Sequence, residues 1–160
     1  MDRLQRIMLA NGLLVVLAAM FAGFMLIFSL LGGIEIWPGS MLHFTVYGTS
    51  EGWVRAHSGG AMNGLLVIVI ALALPKLNLG PTMQRVTAFG FVYVAWSFTL
   101  FYWLGNAAGN RALSIGDNAL GEADAFGVLG FLPGLPSVII VVILLGIAAK
   151  TVLSTDRNKA

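Results

Sequence analysis

The chain has 160 residues, of which 58% are hydrophobic and 10% charged, with a formal net charge of +2. Its mean hydropathy of +0.89 excludes an ordinary water-soluble domain and predicts a protein whose solvent is lipid. The absence of cysteine excludes thiolate catalysis, disulfide frameworks, iron–sulfur clusters and thiolate metal sites.

Four apolar segments are each long enough for the roughly 20 residues that a membrane-spanning helix needs. They cover about residues 7–31, 56–74, 86–104 and 126–153. The first is too long for the apolar region of a signal peptide and lacks a small-residue cleavage site. Pro133 and Pro136 predict that the fourth helix is kinked or that its regular part starts late. The sequence therefore predicts an all-α fold, an integral membrane four-helix bundle that forms one domain over residues 1–160 and has membrane lipid as a partner.

The basic residues lie between the apolar segments and at the chain ends. Arg55 and Arg111 fall on one side of the predicted bundle, whereas the other side carries Arg3, Arg6, Lys76, Arg85, Lys150, Arg157 and Lys159. Because Lys and Arg accumulate on the cytoplasmic side of membrane proteins, both termini are predicted to be cytoplasmic. The same scatter over helix ends forms no basic patch, so no nucleic-acid partner is expected.

Polar side chains inside the predicted helices are few, and their cost in lipid makes each a candidate functional residue. His57 opens the second helix, Asn63 lies about 9 Å deeper along it, and Tyr102 lies near the outward end of the third helix. The second helix enters from outside and the third leaves toward outside. All three residues are therefore predicted to share one leaflet.

Each candidate also has a purely structural interpretation. His57 could bond a loop carbonyl, as many single histidines do. Asn63 could bridge helices, because Gly60 and Gly64 form a small-xxx-small pair that allows close helix approach. Tyr102 could belong to the aromatic belt at the membrane interface.

Two stretches carry a more specific signal. Residues 32–39 read Gly-Gly-Ile-Glu-Ile-Trp-Pro-Gly, and residues 51–64 read Glu-Gly-Trp-Val-Arg-Ala-His-Ser-Gly-Gly-Ala-Met-Asn-Gly. Together with Phe-Tyr at 101–102 and Asn-Arg at 110–111, this pattern closely resembles the styrene oxide isomerase family, which consists of small four-helix membrane enzymes of bacterial styrene degradation. The resemblance covers nearly the whole chain. It implies a multi-pass protein of the bacterial inner (cytoplasmic) membrane.

The resemblance also implies an activity and a cofactor. Family members convert an aryl epoxide such as styrene oxide to an aldehyde by a Meinwald rearrangement, with ferric haem b between the subunits of a homotrimer. On this chain the family pattern makes His57 the axial ligand of the haem iron and places Asn63 and Tyr102 at the substrate. Asn11 stands where a relative has a histidine, and His43 has no counterpart in the relative compared. The resemblance therefore implies a single axial histidine.

The chemistry of the reaction agrees with this assignment. Opening an epoxide places negative charge on oxygen, which favours a Lewis acid, hydrogen-bond donors and the exclusion of water. A hydrolase would need a carboxylate nucleophile, and the helices contain none.

Two alternatives stay open at this stage. One is a haem-binding electron carrier, which would normally fill both axial positions. The other is a small four-helix transporter, which would need a charge inside the membrane, whereas the first helix has none between Ile7 and Leu31. For an isomerase we expect the Gly60/Gly64 surface to support oligomer assembly around the cofactor.

Overall fold

The computed structural model describes residues 1–155. The helices are α1 (Arg3–Leu31), α2 (Ser50–Ala73), α3 (Pro81–Ala107) and α4 (Ala125–Thr155), and a short hairpin consists of β1 (Gly33–Trp37) and β2 (Ser40–His43). All four helices are long and apolar enough to cross a membrane. The predicted four-helix membrane fold is thus confirmed, with the hairpin as an unpredicted addition. Arg157 and Lys159 lie outside the described residues.

The helices extend beyond the apolar segments because polar residues cap them. Asp2 and Gln5 form a reciprocal capping box at the start of α1, and the Thr49 hydroxyl accepts the Gly52 N–H at the start of α2. α3 begins with Pro81, whose fixed φ suits the first helical position. Hydropathy locates the lipid-embedded part of each helix, whereas caps decide where the helix begins.

The fourth helix runs without interruption through Pro133 and Pro136, so the delayed start that the prolines suggested does not occur. Two hydroxyls, one on a buried serine and one on an exposed tyrosine, contact the backbone of this segment. The Ser137 hydroxyl donates to the Pro133 carbonyl at 2.7 Å, and the Tyr93 hydroxyl on α3 donates to the same oxygen at 3.5 Å. The bond from Ser137 to the carbonyl four residues earlier is a common arrangement of serine within a helix.

Sequential helices pack antiparallel. Near the start of α1 and the end of α2, the Gln5 amide donates to the Ala71 carbonyl at 3.1 Å. α3 packs on both α1 and α2, and α4 packs chiefly on α3. Asn11 on α1 accepts a hydrogen bond from Trp96 Nε1 on α3 at 2.9 Å, so both residues act as links between helices.

The closest helix crossing is between α1 and α2. A Cβ added at Gly64 would lie 2.8 Å from the Gly12 carbonyl oxygen, and a Cβ added at Gly60 would lie 3.0 Å from Ala19 Cβ. The small residues therefore allow the two backbones to touch. This corrects the expectation that the Gly60/Gly64 surface supports oligomer assembly, because α1 of the same chain already covers it.

The helix ends form two distinct ends of the bundle. We call the end with Arg3, Lys76, Arg85 and Lys150 the basic end, and the opposite end, which carries the β1–β2 hairpin, the hairpin end. In the hairpin, Gly33 pairs with His43, and Ile36 and Trp37 are exposed. Beside it Tyr47 packs on Trp53 with ring centroids 4.9 Å apart, and burial raises the pKa of Tyr47 above its usual value. That the basic end faces the cytoplasm stays a prediction.

Candidate functional site

His57 lies in the first turns of α2 and packs against α1. Its Nδ1 is 2.9 Å from the Ala19 carbonyl oxygen. Because a carbonyl can only accept a hydrogen bond, Nδ1 carries the proton, and Nε2 of the neutral ring keeps its lone pair. An imidazole oriented in this way by a backbone carbonyl is the usual form of a histidine metal ligand.

Gly23 provides the space for this imidazole. A Cβ added at Gly23 would lie 2.8 Å from His57 Nδ1 and 3.0 Å from Cε1. Any larger residue would therefore press on the ring. The purely structural interpretation of His57 expected a carbonyl in a loop as its hydrogen-bond partner. The carbonyl that His57 contacts belongs instead to a residue of helix α1.

Asn63 and Tyr102 come together on the other flank of α2. The Asn63 side chain lies near the Tyr102 hydroxyl, and the tyrosine ring passes over Gly59, where an added Cβ would lie 2.7 Å from ring carbon Cε2. Asn63 Nδ2 is buried without a hydrogen-bond partner among the described residues. A buried donor without a partner costs free energy, which a bound acceptor would recover.

The surroundings of Tyr102 are aromatic on one side and cationic on the other. Phe101 packs edge-on to its ring at a centroid distance of 5.5 Å, and Phe98 stacks at 6.3 Å. A cavity of about 170 Å³ opens beside Tyr102 at the hairpin end, and Arg55 and Arg111 are among its lining residues. An adjoining apolar cavity of about 230 Å³ shares Phe101. This combination suits an aromatic molecule that carries a polar oxygen.

Asn106 is a site residue that the sequence analysis missed. It is 8% exposed, lines the same cavity as Tyr102, and its Oδ1 accepts the Thr49 N–H at 2.9 Å. The bond joins the end of α3 to the start of α2 and so fixes how the two helices present Tyr102 and Asn63. The sequence signal that could have identified Asn106 is the presence of an asparagine in the last turn of an otherwise apolar helix.

The three predicted residues do not form one cluster within the chain. Asn63 and Tyr102 meet between α2 and α3, whereas His57 faces α1. Across residues 1–155 no three His, Asp or Glu side chains gather in a way that could hold a bare metal ion.

The fold and these residues define a multi-pass membrane protein with a cavity beside Tyr102 at the hairpin end of the bundle. The family model described as styrene oxide isomerase matches residues 4–153. The styrene-oxide isomerase of Pseudomonas fluorescens is 37% identical over 129 residues, which cover 81% of this chain and 76% of that relative. The chain therefore belongs to the styrene oxide isomerase family and is an isomerase.

Proposed function

We propose that this enzyme converts styrene oxide or related aryl epoxides to aryl acetaldehydes in the bacterial inner membrane, with ferric haem b as cofactor. The observation that carries the proposal is the buried Asn63 amide nitrogen, which has no hydrogen-bond partner among the described residues and lies near Tyr102, in a chain that belongs to a family named for an epoxide substrate. Two neutral donors beside aromatic rings suit an oxygen that gains charge during reaction.

The residues present fit a haem. His57 offers an Nε2 lone pair, and its ring is oriented by the Ala19 carbonyl and fits in the space that Gly23 leaves. When bound, ferric haem supplies a Lewis acid for the epoxide oxygen, and reduction to the ferrous state weakens that acid. Because four helices of this length enclose little space of their own, we propose that copies of the chain share each haem, in a homotrimer.

The rearrangement needs no second substrate. The benzylic C–O bond breaks, the electron pair stays on oxygen, and a hydride moves from the oxygen-bearing carbon to the benzylic carbon as the C=O bond forms. No atom or electron enters or leaves. Asn63 and Tyr102 donate hydrogen bonds that orient the oxygen and share its developing charge. The apolar surroundings exclude water, which would otherwise open the ring to a diol.

Removal of the axial ligand tests the cofactor assignment. His57→Ala should lose haem because the described part of the chain offers no replacement histidine in the bundle, His43 being exposed on the hairpin. The measurement is the Soret absorbance per polypeptide after purification from haem-replete cells. Wild-type protein without a Soret band, or His57→Ala with normal haem content, would show the assignment to be wrong. Mass measurement in nanodiscs tests the trimer, and a haem-loaded monomer would refute it.

Substitution of the donor pair tests the mechanism. Tyr102→Phe and Asn63→Ala should each lower turnover of styrene oxide by about 10²-fold while the haem stays bound, because both act on substrate oxygen. Dithionite should suppress wild-type turnover, and reoxidation should restore it without an added acceptor. Equal turnover in both oxidation states would contradict Lewis-acid catalysis. Phenylethanediol as the product would identify a hydrolase.

A further inference from the structure

A groove between α1 and α3 at the basic end lies apart from the candidate site, which is near the hairpin end. It offers a volume of about 570 Å³, and its lining residues are Asp2, Arg3, Leu4, Ile7, Arg85 and Phe89. Over the described residues, α1 and α4 both pack on α3 but form no extended contact with each other. The groove is therefore left open toward the surrounding lipid.

The position of α4 explains why this side of α3 is uncovered. A Cβ added at Gly90 would lie 2.6 Å from Leu144 Cδ1, so α4 packs directly against that glycine. Phe89, one residue earlier, is 54% exposed. The contact with α4 thus covers one face of α3 and leaves the face that carries Phe89 free.

The groove carries unbalanced positive charge. Arg3 on α1 and Arg85 on α3 both line it and are exposed, and within residues 1–155 neither forms an ion pair with a carboxylate. The Asp2 carboxylate also lines the groove, but it caps α1 and accepts the Gln5 N–H at 2.8 Å. Two guanidinium groups from different helices therefore face one carboxylate, which leaves the lining positive.

The rest of the lining is apolar and continues into the bilayer. Leu4, Ile7 and Phe89 contribute it beside the arginines. Leu14 lies seven residues beyond Ile7, hence on the same face of α1 and about 10 Å deeper, and it is 50% exposed. The groove thus passes from a cationic end to an apolar wall, in the order in which a phospholipid passes from phosphate to acyl chain.

We propose that this groove binds an anionic phospholipid, with its phosphate at Arg3 and Arg85 and an acyl chain along Ile7, Phe89 and Leu14. Guanidinium groups bind phosphate through paired, charge-assisted hydrogen bonds, and basic pockets between membrane helices recognise anionic headgroups. A small soluble anion would use the arginines but leave the apolar wall unoccupied. The site depends on neither the haem nor the isomerase reaction.

Lipid titration followed by native mass spectrometry tests the site. Delipidated protein in neutral detergent should bind one phosphatidylglycerol per chain in preference to phosphatidylcholine with the same acyl chains. Arg3→Gln/Arg85→Gln should weaken phosphatidylglycerol binding by about 25-fold, or roughly fivefold for each arginine. Equal affinity for the two lipids would overturn the proposal. Displacement of the bound lipid by glycerol phosphate, which has no acyl chain, would show a site for a soluble anion instead.

A matched control separates the groove from the general positive charge of this end of the bundle. Arg6 and Lys76 are exposed at the same end but do not line the groove. Arg6→Gln/Lys76→Gln removes the same total charge and should leave the preference for phosphatidylglycerol within about twofold of wild type, because charges outside the groove do not contact the phosphate. An equal loss in both double variants would show unspecific attraction and overturn the assignment.

A label in the groove gives a second readout that keeps both arginines. The chain has no native cysteine, so Phe89→Cys introduces a single thiol for a fluorophore. Brominated phosphatidylglycerol should quench it more strongly than brominated phosphatidylcholine, whereas a label on Val142→Cys of α4, where the native side chain is 66% exposed, should show no preference. Equal quenching at Phe89→Cys, or its oxidation to a disulfide-linked dimer in membranes, would overturn the proposal; the dimer would place a second copy of the chain in the groove.

Discussion

The orientation of one imidazole depends on a backbone carbonyl and on a missing side chain. The Ala19 carbonyl accepts the Nδ1–H of His57 at 2.9 Å, and Gly23 leaves room for the ring. Neither residue is polar or ionisable, so neither attracts notice in a search for chemical groups. Their role is to decide which nitrogen is free and where it points.

At this scale the prediction concerns Gly23→Ala. The added Cβ would lie 2.8 Å from His57 Nδ1, so the ring must move and its hydrogen bond must lengthen. Loss of such a supporting bond typically weakens metal binding by about 10- to 100-fold. Haem titration of the apoprotein, followed by Soret absorbance, gives the affinity. Gly146→Ala is the control, because nothing lies within 4 Å of its added Cβ, and equal affinity in the two variants would contradict the role given to Gly23.

Among the elements, the α1–α2 pair depends most on backbone contact. Gly12 and Gly64 face each other, and an added Cβ at either would lie less than 3 Å from the carbonyl oxygen of the other. Carbonyl oxygens on two helices cannot move aside as the end of a flexible side chain can. The crossing is therefore sensitive to a single methyl group.

Gly64→Ala should destabilise the protomer by about 1–3 kcal/mol, as overpacking of a tight contact usually does. The thermal midpoint of aggregation in detergent measures the effect, with Gly146→Ala again as the control. Because α1 and α2 belong to one chain, the proposed oligomer should persist at low temperature. Dissociation of the oligomer at an unchanged midpoint would show that the glycine lies in a subunit interface after all.

The helices were predictable from the sequence because a long apolar segment in lipid must satisfy its backbone hydrogen bonds internally, which a helix does. Their starts were not, since Thr49 and Pro81 act through local caps outside the apolar runs. Helix direction alone predicted that Asn63 and Tyr102 lie at similar depth, but not that their side chains face each other. The carbonyl of Ala19 could not be predicted, because any helical residue offers the same group and only the packing angle selects one.

For the whole molecule, the alternating helices place Lys76 at the basic end and Ile115 at the hairpin end. If the basic end is cytoplasmic, as the charge distribution predicts, Ile115→Cys should react with a membrane-impermeant maleimide in intact spheroplasts. Lys76→Cys should react only after permeabilisation. Both native side chains are exposed, so accessibility within the fold does not bias the comparison. The opposite labelling pattern would invert the topology.

The contact between Ala19 and His57 has a consequence for the order of events during synthesis. Both partners lie in the first two helices, which emerge from the ribosome ahead of α3, and N-terminal segments begin to fold first. The close glycine crossing lets these two helices pack as a pair before α3 joins them, so the imidazole is oriented before Tyr102 reaches α2. Assembly is thereby ordered in time: the hydrogen bond that orients His57 forms first, and the contact between α2 and Tyr102 follows.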